Sequence, residues 1–395
     1  MNVRRKENEA GGTLKRPCGG AGGHAMENAL ALDTVRLAED GKRLVILDQT
    51  LLPNEVKYLA LRRAEDLREA ICSLRVRGAP AIGVAGGYSY YLLADQTETG
   101  DMDAFVAACA ENMAYLNSAR PTAVNLSWAL NRMHSVLLGE KDGRSVAEMK
   151  RRLRAEADAI REEDIGISRG IGEHGFALLE ALGKGAGVMT HCNAGTLATA
   201  KYGTALAPVY IALERGWDGK RDLHVYCDET RPLLQGARLT AFELRSAGVD
   251  TYVQCDSMAA WTMRSGRIDI VFVGCDRVAA NGDFANKIGT SGVAIIAKHY
   301  GIPFYCCAPS SSIDMTLESG DEIRIEQRGG EEVTELWYRE RMAPEGVGVV
   351  NPAFDVTDHS LVTGIITEKG IARAPFKESF EKMGIRPVEK YVDRK

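Results

Sequence analysis

Apolar residues fall into two patterns along this chain. In the front half most recur at helical spacing, as Leu67, Ala70, Ile71 and Leu74 do within Ala64 to Leu74. The same spacing predicts helices around Asp103 to Leu116, Val124 to Leu138 and Val146 to Ile160. Two short runs, Leu44 to Leu47 and Val56 to Leu61, read instead as strands, with Pro53-Asn54 as punctuation between them. The longest apolar stretch, Ala79 to Ala94, is interrupted by Gly83, Gly86, Gly87 and Ser89 and is shorter than the ~20 residues needed to span a bilayer. It predicts a buried helix.

From Gly185 onward short apolar runs alternate with helix-length segments, the sequence form of β-α-β units and a parallel sheet. The predicted strands are Gly187 to His191, Leu223 to Cys227, Thr251 to Cys255, Ile268 to Val273, Ile302 to Cys306 and Leu361 to Ile366. Ser319 to Val333 is polar and charged and reads as a loop or an edge hairpin. The expected fold class is therefore α/β. A Rossmann-like parallel-sheet domain occupies residues 151–395, and a smaller, mainly helical domain with a short strand unit occupies residues 26–150. Residues 1–25 carry six glycines and little apolar content, and read as a flexible extension.

Composition narrows the function classes. With 395 residues, 45% hydrophobic and 26% charged, the chain is that of an ordinary globular protein. A formal net charge of -5 gives no basic field of the kind that recruits nucleic acid, so an anionic ligand must be held by local donors. Nine cysteines without a C-x-x-C predict reduced thiols in a cytoplasmic protein. Arg4, Arg5 and Lys6 are followed by no apolar run, so no secretory signal and no membrane partner are expected.

In open parallel sheets, ligands sit beyond the carboxyl ends of the strands. The residues there are Cys192-Asn193-Ala194-Gly195, Asp228-Glu229-Thr230-Arg231 and Gly274-Cys275-Asp276-Arg277. Cys192, between a strand end and a glycine expected to open a helix, suits an acid-base or nucleophilic thiol; the competing reading is a packing residue. Asp276 ends an apolar strand, where a carboxyl has a raised pKa and serves as acid or base, or is paired with a neighbour such as Arg277. The same alternatives hold for Asp228. Asn286-Lys287, expected to begin a helix, and Arg77-Gly78-Ala79-Pro80, expected to open one, are candidate anion contacts, and Arg120-Pro121-Thr122 is a third. No phosphate-loop or dinucleotide fingerprint and no metal-ligand spacing among the seven histidines is present, so no cofactor is expected.

Taken together, Arg75-Val76-Arg77-Gly78-Ala79-Pro80, Ala119-Arg120-Pro121-Thr122, Thr190-His191-Cys192-Asn193-Ala194-Gly195, Leu234-Gln235-Gly236-Ala237-Arg238, Gly274-Cys275-Asp276-Arg277 and Ala285-Asn286-Lys287-Ile288-Gly289-Thr290 resemble the motifs of the S-methyl-5-thioribose-1-phosphate isomerase family, in its order. Cys275 and Ser291-Gly292 depart from its commoner residues. The resemblance implies an aldose-ketose isomerase of methionine salvage acting on a small sugar phosphate without cofactor, and a homodimer. It implies that Cys192 and Asp276 are the catalytic pair and that Arg77, Gly78, Ala79, Arg120, Gln235, Asn286 and Lys287 contact the substrate. Related activities on 5-deoxyribose 1-phosphate or ribose 1,5-bisphosphate, and a non-catalytic nucleotide-sensing subunit, are the alternatives.

Overall fold

The computed structural model describes residues 32–120 and 123–386; the extension expected at residues 1–25, and Pro121-Thr122 of the third anion motif, lie outside the described residues. Strands β1 (Val35–Leu37), β2 (Leu44–Leu47) and β3 (Tyr58–Leu61) form an antiparallel meander with β2 in the middle. All four β2 residues are buried, which explains why they read as a continuous apolar run and not as an alternation.

Five helices follow: α1 (Ala64–Cys72), α2 (Ala79–Gln96), α3 (Met102–Asn117), α4 (Val124–Glu140) and α5 (Val146–Leu182). The interrupted apolar stretch is α2, which packs against α3, α4 and α5 and is buried from Ala81 to Ala94. With neighbours on all sides it has no polar face to show. Helix α5 opens with a reciprocal capping box between Ser145 and Glu148 and runs unbroken for 37 residues. Its early residues Leu153, Ala157 and Ile160 join the front core, whereas Ile171 and Leu179 pack on the sheet side. The division expected between residues 150 and 151 therefore falls inside a helix that belongs to both cores.

The remainder runs β4 (Ala186–Thr190), α6 (Ala207–Glu214), β5 (Leu223–Asp228), α7 (Ala241–Ser246), β6 (Asp250–Gln254), α8 (Ala259–Arg264), β7 (Ile270–Val273), β8 (Arg277–Ala279), β9 (Phe284–Lys287), α9 (Thr290–Tyr300), β10 (Phe304–Cys307), β11 (Ile313–Asp314), α10 (Glu331–Thr334), β12 (Phe354–Thr357), β13 (Gly364–Thr367), β14 (Gly370–Ala372) and α11 (Phe376–Lys382). The main sheet has the order β14-β13-β10-β7-β4-β5-β6, parallel except for β14. All six expected strands are in it. From β4 the chain steps outward through β5 and β6, then returns to the other side of β4 for β7, β10 and β13. The strand order reverses between β4 and β7, which makes that crevice the ligand position of an open parallel sheet.

A second sheet, β11-β8-β9-β12, corrects the sequence reading. Asn286 and Lys287 do not begin a helix; they end β9, and α9 starts at Thr290. The register of β9 is set by β12, where Lys287 opposes Phe354 and Asn286 opposes Asp355. No local pattern reveals so distant a partner. Ser319 to Val333 is largely irregular, tied down by a bridge between Gln327 and Pro352. Among the described residues no helix is long and apolar enough to cross a membrane.

Candidate active site

Two strand ends on either side of the reversal carry Cys192 and Asp276, the pair expected to react. Cys192 follows β4, with its backbone at φ 67, a left-handed conformation that a side chain seldom adopts. Thr230 and Thr240 hold it there: the Cys192 N–H donates to Thr230 Oγ1 at 2.9 Å, and Thr240 Oγ1 donates to the Cys192 carbonyl at 2.6 Å. The helix expected to follow is a single 3₁₀ turn, Thr196–Ala198, so no helix dipole assists the thiol. Burial pushes the thiol above its ordinary value, and Arg77, Lys287 and the Asn193 N–H pull the other way.

Asp276 lies between β7 and β8, its N–H donating to the Ala285 carbonyl at 2.8 Å. Its side chain keeps contact with solvent, yet protein crowds it closely enough that burial pushes its carboxyl above the usual range, against Lys287, Arg77, Arg120 and Arg328. A carboxyl on the wall of a cleft has both properties. Its neighbour Arg277 does not pair with it but reaches Asp314 at 2.6 Å. Asp276 in turn raises Cys192, so thiol and carboxyl sense one another electrostatically.

The cations arrive from four different elements. Arg77 precedes α2 and spends its fork on Asn193, with Nη1 donating to Oδ1 at 2.5 Å and Nη2 to the carbonyl at 3.2 Å. Gly78 caps α2 at φ 89, and an added Cβ would lie 2.4 Å from the Ala198 carbonyl oxygen, so only glycine fits. Ala79 then begins the helix, whose free N–H groups face away from any intrahelical partner. Lys287 is buried, donates to the Ala353 carbonyl at 2.8 Å and sits 4.3 Å from the centre of the Phe354 ring; burial lowers its pKa. Arg120 and Arg328 line an adjoining cavity of about 330 Å³ together with Glu326 and Glu332. Asn286 is buried and donates to Thr290 Oγ1 at 3.0 Å. Gln235 is buried at the start of the turn after β5, and its Oε1 has no hydrogen-bond partner among the described residues. A buried amide oxygen without a donor is costly, and a ligand hydroxyl would satisfy it.

Cys192, Asp276, Arg77, Arg120 and Lys287 thus act on one another. Two contributors, Arg328 and Glu243, escape the sequence reading, and a third, Asn193, is marked there by its strand-end place alone. Arg328 comes from the irregular segment, where no period marks it. Asn193 joins Arg77 to Glu243, donating to its carboxyl and to Thr240 Oγ1. Glu243 is buried, accepts from Tyr210 at 2.9 Å, and is pushed by burial up to about 7. His191, Asp228 and Asp256 stand close enough together to hold a cation. Their oxygens are already taken, however: Asp256 accepts the N–H groups of Thr230 and Arg231, and Asp228 accepts from Gln254 and bonds His191. They form a hydrogen-bond network.

The initiation factor 2 subunit family matches residues 75–374. The chain belongs to that family. Within it, the chain is 58% identical over 358 residues to the methylthioribose-1-phosphate isomerase of Symbiobacterium thermophilum, covering 91% of this chain and 98% of that protein. It is 51% identical over 352 residues to a 5-deoxyribose 1-phosphate isomerase of Clostridium botulinum, covering 88% and 97%. The crystal structure of 5-methylthioribose 1-phosphate isomerase from Pyrococcus horikoshii superposes with a TM-score of 0.84 at 41% identity, over 90% of this chain and 97% of that one. The family match spans every expected site residue from Arg77 to Lys287.

Proposed function

We propose that this family member interconverts S-methyl-5-thio-α-D-ribose 1-phosphate and S-methyl-5-thio-D-ribulose 1-phosphate in methionine salvage, with no metal or nucleotide. The observation that carries the reading is a thiol and a carboxyl on two strand ends flanking the sheet's reversal, both raised by burial and both acted on by Arg77 and Lys287. The 58% and 41% identities to enzymes of this name support it.

The 1-phosphate blocks the anomeric oxygen, so the ring must open with phosphate attached. The ring oxygen gains a proton, the 2-hydroxyl loses one, and the hydrogen on C2 ends on C1. Asp276 handles the oxygen-bound protons and Cys192 acts at the C1/C2 centre. Arg77, Arg120, Lys287 and the N–H groups at Gly78-Ala79 hold the phosphate; Gln235 and Asn286 hold hydroxyls. The protein works as a cytoplasmic homodimer, which light scattering tests.

The name of the Clostridium botulinum relative favours one second reading, 5-deoxyribose 1-phosphate, which differs at C5 alone. Purified protein assayed against both sugar phosphates and ribose 1,5-bisphosphate decides among them: kcat/KM is expected to be highest for the methylthio sugar. Turnover of none of the three would leave the non-catalytic reading standing. Running the reaction in deuterated water separates proton from hydride transfer, since only a proton exchanges with solvent.

A further inference from the structure

His191 stands next to Cys192, and both of its ring nitrogens meet acceptors. Nδ1 lies 3.1 Å from Asp228 Oδ2, and Nε2 lies 2.8 Å from the Ile288 carbonyl. A carbonyl oxygen cannot donate, so Nε2 must carry a proton. With Asp228 ionised, its oxygens can only accept, and Nδ1 then carries a proton as well. Asp228 is fixed in turn: its Oδ1 accepts from Gln254 Nε2 at 2.8 Å, and Gln254 accepts from Thr262 at 2.5 Å. The Ile288 carbonyl belongs to the turn directly after Asn286 and Lys287. That turn closes against the ring itself, since a Cβ on Gly289, at φ 104, would lie 2.8 Å from His191 Cε1.

We propose that His191 is a positioning residue, a doubly protonated imidazole clamped between Asp228 and the Ile288 carbonyl that locks the Asn286–Lys287 strand end to the β4 end carrying Cys192. The inference rests on the reading of Cys192 and Lys287 as substrate groups. The charged groups facing the ring are Asp228 on β5, Asp256 after β6 and Asp355 on β12, all carboxyls, while the Asp355 carboxyl itself accepts from the N–H groups of Gly289 and Ser291. Burial is the largest single influence and opposes a charge on the ring, but Asp228, Asp256 and the Ile288 carbonyl together outweigh it and raise the imidazole above its ordinary value. Burial also pushes Asp228 up, while hydrogen bonds from His191 and Gln254 pull it back down and favour its ionised form. The ring strut is needed because the two strand ends belong to different sheets: β4 lies in the parallel sheet and β9 in the small one, with no ladder between them.

Two measurements on the full chain test this. Long-range nitrogen-proton spectra of histidine-labelled wild-type protein are expected to show both His191 nitrogens protonated from about pH 6 to 8, where a free imidazole with pKa ~6.5 loses one. Asp228→Asn removes the partner charge, and its kcat/KM is expected to fall at least roughly tenfold at high pH and recover as pH drops and the ring regains its proton, because a misplacement of about 1 Å costs up to ~10²-fold. A purely structural loss would not recover with pH. A neutral single tautomer in the wild type overturns the proposal, and so does an Asp228→Asn deficit that is equal at both pH values. Wild-type protein inactive on every sugar phosphate overturns the isomerase reading alone, and the imidazole spectrum then decides the strut.

Discussion

Cys192→Ser keeps a hydroxyl of similar shape and removes an ionisable thiol, while Asp276→Asn keeps the shape and removes the exchangeable proton. Each is expected to lower kcat by at least the ~10²-fold typical of general acid-base catalysis. The double variant should be far less damaged than the product of the single losses, because both groups serve one reaction path. Near-normal turnover in Cys192→Ser returns the thiol to a packing role. The pH dependence has a definite sign. Burial raises the Asp276 carboxyl, so activity that needs it ionised rises with pH through a value above the ordinary carboxylate range, and Asp276→Asn lacks that limb. Stability runs the other way. A carboxyl raised by folding stabilises the native state fully only below its unfolded value of ~3.9, and that contribution is lost as pH rises through the folded value. Asp276 is exposed to solvent, which screens most of that contribution, so Asp276→Asn should melt close to wild type near neutral pH while turning over far more slowly, as thermal circular dichroism and an assay will show. Cys192 and Asp276 are legible in sequence because each closes an apolar run. Arg328 and Glu243 are not, and Asn193 is legible only by its strand-end place, because what makes all three matter is a partner from another element.

Among the elements, the start of α2 is the most sharply constrained. Gly78→Ala forces a side chain onto φ 89 and drives a Cβ into the Ala198 backbone. The backbone strain alone costs ~1–3 kcal/mol, and relief of the overlap shifts the N–H groups at Ala79. The expected outcome is an earlier urea midpoint together with a rise in KM larger than the fall in kcat; an unchanged KM removes this turn from the phosphate contacts. Ser145→Ala is the contrasting case, at the N-terminus of the 37-residue α5, where its side chain bonds Glu148: losing this cap costs ~1 kcal/mol in urea denaturation and leaves turnover intact. Helix α5 also shows where local reading stops. Its apolar spacing is plain from Val146 to Ile160, but its continuation to Leu182 follows from packing on the second core, which a local window does not contain.

At the scale of the whole molecule, the two cores meet at the site. Arg77 crosses from the helical front to Asn193, Gln49 Nε2 donates to the Leu197 carbonyl at 2.7 Å, and Arg238 reaches the Leu52 carbonyl at 2.9 Å. Because the chemistry is assigned to side chains and the sequence carries no metal spacing or phosphate-loop fingerprint, turnover is expected to survive exhaustive EDTA treatment and to need no added nucleotide. Activity lost to EDTA and restored by zinc or magnesium would assign the carboxylates around His191 a cation after all.

Sequence by itself determined the α/β class, the six main strands, the buried α2 and the strand-end positions of Cys192 and Asp276, since each rests on local periodicity or on a residue type that closes an apolar run. Tertiary structure alone decided the rest. The reversal between β4 and β7 brings together two strand ends that are distant in sequence, and the pairing of β9 with β12 makes Asn286 and Lys287 a strand instead of a helix start. The imidazole clamp joins two sheets that share no ladder. These features depend on which surfaces meet, and burial at that meeting is what moves the thiol, the carboxyl and the lysine away from their ordinary ionisation.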